Sequence, residues 1–256
     1  MTDIALPNRP ASQGTIVEQT RAAAEVAAAV SVARQFPRSA DAATDAMRRL
    51  CSSLAVANKA FYEVPNRGAG MSVHIARELA RIWQNVDYGV RELRRDDDEG
   101  VSEMQVWAWD VETNVRSTRS FIQPHQRMAG GQRRKLTDLG DIYLANQNTG
   151  ARAVRECIFT MLPGWFLAEA EQALRDTLVR GDGKPLTERI GDALEKFATL
   201  NITPEQLQAR TGKHPTTWQP NDLASLARIY ATITQDGIAA SEFFPETAVQ
   251  IPGATS

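Results

Sequence analysis

Between residues 87 and 122 the apolar pattern changes its period, and that change limits the chain to an α+β fold. Met104, Val106 and Ala108 alternate with Gln105, Trp107 and Trp109, the period of two expected of a strand with one buried face. Segments 87–95, 101–110 and 115–122 read as three strands. They are joined by Asp96-Asp97-Asp98-Glu99-Gly100 and by Val111-Glu112-Thr113-Asn114. Connections this short cannot carry a parallel crossover, so the segment reads as an antiparallel three-stranded β-meander.

Helical periodicity surrounds it. Residues 15–35 are rich in Ala, with good helix propensity, and Pro37 closes them. Met47, Leu50, Leu54 and Ala57 share a stripe of one helix over 41–60. Pro65-Asn66-Arg67-Gly68-Ala69-Gly70 reads as a loop, after which Ser72 caps a helix to Trp83. Residues 123–136 read as a polar loop containing Gly130-Gly131. Asp138 can cap a helix running to Leu162, with Gly150 a weak point, and another helix follows over 165–180.

Gly181-Asp182-Gly183 and Pro185 form the clearest boundary. Beyond it lies a small helical C-terminal module, in which Thr203-Pro204-Glu205-Gln206 is a capping box. The expected organisation is a mobile arm over 1–14, a core over 15–182, the module over 186–244 and a flexible tail over 245–256. MTDIALPNRP has no basic segment followed by an apolar one, so no signal peptide is expected. No apolar run approaches the roughly 18 residues of a membrane span. Cys51 and Cys157 read as small buried thiols in a reducing compartment, which places the chain in the cytoplasm.

Few catalytic constellations are possible. His74, His125 and His214 have no metal-ligand spacing, and there is no P-loop, GxGxxG or GxSxG. Gly68-Ala69-Gly70 before a helix could hold a phosphate, or be a plain loop. The Asp96–Glu99 run could bind a divalent cation, or be a solvated turn. Asp110, Glu112, Asp138 and Asp141 offer carboxylates of the kind a metal-dependent nuclease uses.

Net charge is −2, so any nucleic-acid site has to be local. No acidic residue lies between Glu112 and Asp138, a stretch that holds Arg116, Arg119, Arg127, Arg133, Arg134, Lys135 and His125. Unopposed cations of this kind can neutralise phosphates. Arg152 and Arg155, three apart, share a face of the next helix. Trp107, Trp109 and Phe121 ordinarily supply core, but could also stack bases.

A short helix, a three-stranded meander and a long helix, in this order, resemble the core of the phage single-strand DNA annealing proteins (RecT/Erf/Rad52-like recombinases). The residues that carry the resemblance are Met71–Trp83 running into Asp87–Val90, Val106–Thr113, and Asn148–Arg155 with Ile158–Pro163. The resemblance implies ATP-independent binding and annealing of complementary single strands in phage homologous recombination, by a homo-oligomeric ring or filament. It implies no catalytic residue, no cofactor, and Mg²⁺ only as an ion bound with DNA. Partners would be single-stranded DNA, the annealed duplex intermediate, a phage exonuclease and host single-strand binding protein, in the bacterial host cytoplasm. The DNA-binding set would be Arg116, Arg119, Arg127, Arg133, Arg134, Lys135, Arg152 and Arg155, with Lys59 and Arg67 at the rim. Helix 15–35 would pack on a neighbouring subunit. The alternatives are a phage assembly or interaction protein that oligomerises without DNA, and a metal-dependent nuclease using Asp110, Glu112 and Asp138.

Overall fold

A computed structural model describes residues 13–64, 68–129, 132–181, 183–235 and 237–244. Most of the expected arm, Arg67, Gly130-Gly131 and the tail from 245 lie outside the described residues.

The chain opens with helix α1 (Gln13–Gln35), followed by α2 (Ala40–Cys51) and α3 (Leu54–Ala57). The single helix expected over 41–60 is broken, because Ser53 adopts an extended conformation and starts α3. Next come two short strands, β1 (Phe61–Val64) and β2 (Gly68–Met71), paired antiparallel. Of the loop expected there, Gly68, Ala69 and Gly70 are thus strand residues, and 65–67 lie outside the described residues. Helix α4 (Val73–Trp83) begins where Ser72 Oγ accepts the Ile75 N–H. It buries Ile75, Ala76, Leu79, Ala80 and Trp83 as one stripe.

The sheet follows as β3 (Val86–Asp96), β4 (Val101–Asp110) and β5 (Val115–Pro124), in that spatial order and antiparallel throughout. Asn114, at φ 59, turns β4 into β5 in the left-handed conformation that Asn tolerates. The described part of residues 123–136 is mostly strand, not loop. β6 (Gln126–Ala129) and β7 (Gln132–Lys135) form a second ribbon beyond β5.

Helix α5 (Leu139–Met161) crosses the sheet. It buries Ile142, Asn146, Gly150, Val154, Cys157, Ile158 and Met161, a stripe of three- and four-residue steps. The stripe meets the even face of β4, where Ser102, Met104, Val106, Ala108 and Asp110 are buried. The helix runs unbroken through Gly150, the expected weak point, and the reason is contact. A Cβ on Gly150 would lie 2.7 Å from Val90 Cγ1. Glycine lets helix and sheet approach, and packing outweighs the helix-propensity cost.

Helix α6 (Gly164–Arg180) completes a first core with α2, α4 and α5. A second core lies in α7 (Leu186–Ala198), α8 (Pro204–Thr211) and α9 (Pro220–Gln235), centred on Phe197, Leu207, Trp218, Leu226 and Phe244. Thr203 and Gln206 complete the capping box of α8. The two cores are joined. Ala224 of α9 belongs to the first, and Glu63 of β1 takes Arg210 at 3.0 Å and Arg228 at 3.2 Å. Arg189 Nη2 also donates to the Leu178 carbonyl at 2.7 Å, tying α7 to the end of α6. Among the described residues, no helix is long and apolar enough to cross a membrane.

The approach at Gly150 sets a test. In most helix interiors Gly→Ala gains about 1 kcal/mol. Here Gly150→Ala is expected to lower stability by about 1–3 kcal/mol through overpacking, and Val90→Ala to recover part of the loss. Chemical denaturation of the two single variants and the double checks this.

Candidate nucleic-acid interface

Side chains of β4 leave the sheet on two faces, and α5 occupies only one. The odd positions, Gln105, Trp107 and Trp109 among them, are half-buried on the other face. Register brings Asp87, Gly89, Arg91 and Arg94 of β3 to that face, and Arg116, Thr118, Ser120 and Ile122 of β5.

The tryptophans are therefore not core, as large aromatics usually are. Trp107 lies flat across β3. A Cβ on its partner Gly89 would come within 2.6 Å of the ring. Its Nε1–H donates to Asp87 Oδ2 at 2.6 Å, and the Arg91 guanidinium carbon sits 5.5 Å from the ring centroid. Trp109 donates to Asn114 Oδ1 at 3.0 Å, with the Arg116 guanidinium carbon 5.9 Å from its ring. Two indoles are thus fixed by their N–H groups and flanked by guanidinium groups, an arrangement on which unpaired bases can stack. Phe121 is different. It packs against the core on the helical side.

The basic residues read from the sequence fall into separate places. Arg116 belongs to the open face. Arg119 pairs with Val106, so it leaves the edge strand on the opposite side and is exposed. Arg127 and Arg134 stand directly opposite each other in the ribbon, with Arg133 opposite Met128 and Lys135 opposite Gln126. Like charges placed directly across a ladder repel, and a bound anion would relieve that cost. Arg152 and Arg155 line a cleft on the helical side, between α5, α4 and the β1–β2 hairpin. Lys59 is exposed before β1. Arg67 lies outside the described residues. The expected set is dispersed: Arg116 on the open face, Arg119 on the other side of the same edge strand, Arg127, Arg133, Arg134 and Lys135 on the ribbon, and Arg152 with Arg155 in the cleft. Arg91, Arg94 and Arg77 went unnoticed, although period two from Gly89 places Arg91 beside Trp107.

His125 stands apart from the cations around it. It is 3 % exposed, and its Nε2 lies 2.8 Å from Ser102 Oγ, which accepts from Asn146 Nδ2 at 3.0 Å. This histidine anchors the passage from β5 to the ribbon. Its N–H bonds the Gly100 carbonyl, and its own carbonyl takes the Leu136 N–H.

The nuclease carboxylates have structural duties. Asp110 accepts from Arg38 Nη1 at 2.7 Å and also from Nη2. Arg38 Nε and its backbone N–H both reach Glu112 Oε2 at 3.0 Å, and Asn85 reaches the same oxygen at 2.8 Å. Arg38 also lies over the Trp83 ring, 4.9 Å from its centroid. Asp138 caps α5 by accepting the Asp141 N–H at 3.0 Å. Among the described residues no group of His, Cys, Asp and Glu could hold a metal ion. In the Asp96–Glu99 turn, Asp96 pairs with Arg94 and Asp97 with Arg95.

Burial pushes the Glu112 carboxyl up, but its hydrogen bonds from Arg38 and Asn85 outweigh that and hold it below the usual range. The sign follows from linkage. A depressed carboxylate contributes stability above its unfolded value, about 4.3, and loses it as pH falls through the folded value. Removing Arg38, whose side chain is 7 % exposed, strands two carboxylates. Arg38→Ala is expected to cost about 3–5 kcal/mol at neutral pH. The gap to wild type should narrow as pH falls below about 4.3. Urea titrations at several pH values read both.

Comparison with known proteins adds one match. A family described as CRISPR-associated protein (Cas_Csy2) matches residues 99–233, from the turn before β4 into α9. No curated protein and no solved structure matches the chain. The family match overturns the resemblance to phage annealing recombinases. With it go strand annealing, phage recombination, a recombinase ring or filament, and the partners that reading implied, from annealed DNA to the exonuclease and host single-strand binding protein. The alternatives of a phage assembly protein and a metal-dependent nuclease also find no support. The physical reason is that helix, three antiparallel strands and helix form a generic packing solution, shared by unrelated functions. The matched segment is more than half of the 256 residues, and the chain belongs to this CRISPR-associated family.

Proposed function

We propose that the chain is a non-enzymatic subunit of a multi-subunit CRISPR-associated complex, and that it holds single-stranded nucleic acid against the open face of its sheet. The observation that carries this reading is the pair Trp107 and Trp109, laid along an uncovered face with Arg91 and Arg116 against them. Stacking on indoles is tolerant of sequence, and the guanidinium groups supply charge for the backbone. The acid-free ribbon of β6 and β7, which follows β5 in the chain, adds the cations Arg127, Arg133, Arg134 and Lys135. Family membership supports a role within an assembly that binds nucleic acid. The absence of a catalytic role is supported by the duties found for Asp110, Glu112 and Asp138, the carboxylates with the best claim to chemistry.

A protein partner is supported by α1, which is exposed along nearly all of its described length, including Ile16, Val17, Val26 and Val32. Helices gain most of their stability from packing, so one this open suits a partner surface.

Labelled single-stranded RNA and DNA are expected to bind, with affinity falling as salt rises. Each of Trp107→Ala and Trp109→Ala should cost about 1–3 kcal/mol of binding, and Arg127→Ala with Arg134→Ala should flatten the salt dependence. Fluorescence anisotropy over a salt series measures both. Binding unchanged in the double tryptophan variant, with its melting temperature retained, rules the sheet face out.

A further inference from the structure

On the helical side of the sheet, a cleft of about 440 Å³ opens between the β1–β2 hairpin, α4, α5 and the end of α9. Its lining includes Arg77, Arg152, Arg155, His74, Tyr62 and Asn148, and no acidic residue is among the described lining groups. Three guanidinium groups in one concavity repel one another and require a reason. Arg155 is partly compensated, since Glu156 lies 2.8 Å from its Nη2, and its guanidinium carbon sits 4.5 Å over the Tyr62 ring. That stacking fixes its plane. Arg77 and Arg152 form no ion pair among the described residues. The first turn of α4, at Val73 and His74, also lines the cleft, and the positive end of a helix dipole favours an anion.

We propose that this cleft binds a phosphate monoester carried on a nucleotide. The volume falls within the roughly 300–1,000 Å³ of small-molecule sites, so it admits more than a bare ion. Planar guanidinium forks match the oxygens of a phosphate, and two uncompensated charges match a dianion. The Tyr62 ring and the amide of Asn148 offer an aromatic surface and hydrogen bonds to the rest of the ligand. Two sources carry this chemistry, a free mononucleotide and the phosphorylated end of a strand. The inference does not rest on the nucleic-acid reading of the open face, because the sheet separates the two surfaces.

Isothermal titration at low salt with adenosine monophosphate, with inorganic phosphate, and with short oligonucleotides bearing a 5′-phosphate or a 5′-hydroxyl tests it. Saturable binding of adenosine monophosphate assigns a free nucleotide. Binding of the phosphorylated oligonucleotide alone, and not its hydroxyl form, assigns a strand end. Either outcome should be weakened at least tenfold by Arg77→Gln with Arg152→Gln. Both arginines are exposed, so melting of the double variant should match wild type. Should the pair disturb folding, Arg152→Gln alone gives the same reading at smaller amplitude. No saturable binding of any phosphorylated probe to wild type overturns the proposal, and so does equal affinity in a folded variant. A failed sheet-face reading would show instead as oligonucleotide binding indifferent to Trp107 and Trp109.

Discussion

The fold depends on one close approach. At Gly150 the long helix α5 comes so near β3 that a single methyl group would meet Val90. With α5 seated there, Met104, Val106 and Ala108 are sealed from water. Burying these side chains contributes on the order of 1–3 kcal/mol each for the larger ones. Because β4 alternates strictly, sealing its even positions commits its odd positions to the other face. Trp107 and Trp109 follow from that commitment. A one-residue slip in register would exchange the two sets, so packing at Gly150 and the placement of the indoles on the other face are one constraint.

Charge is organised on the same principle of local compensation. The chain is slightly acidic overall, yet many acids are engaged in fixed pairs. Glu63 holds Arg210 and Arg228 across the junction of the two cores, and Asp110 with Glu112 holds Arg38. Lys184 is held between Glu188 and Asp192. Among the described residues, the cations without an ion pair include Arg127, Arg133, Arg134 and Lys135 of the ribbon, Arg91 and Arg116 of the open face, and Arg77 and Arg152 of the cleft. Net charge therefore says little about where a polyanion would meet the chain, since the sum hides the acid-free stretch from Thr113 to Thr137.

Local signals in the sequence were legible wherever a few adjacent residues decide the outcome. Ser72, Asp138 and Thr203 read as N-caps, and each accepts a backbone N–H in the structure. The three strands were expected within two residues of their observed ends, since alternation and short turns act locally. The β6–β7 ribbon was not seen, because Gln126–Ala129 and Gln132–Lys135 are rich in Arg and Gln, with little strand propensity. The Gly130-Gly131 pair between them was a usable hairpin signal. Separation of Arg152 and Arg155 from the sheet cations could not be read, because it depends on which face α5 covers. His125 and Arg38 owe their roles to long-range contacts with Ser102, Asp110 and Glu112, which no local pattern encodes. The family resemblance failed for the opposite reason. It rested on the order of elements, which physics repeats in many proteins, and not on a site.

Photo-crosslinking tests the central claim most directly. A 4-thiouridine-bearing single-stranded oligonucleotide is bound to the full chain at low salt and irradiated, and the crosslinked peptides are mapped by mass spectrometry. The expected result is crosslinks concentrated on β4 around Trp107 and Trp109, with a second set on the ribbon at Arg127–Arg134. Crosslinks confined to α7–α9, with none on the sheet, would contradict the assignment of the open face.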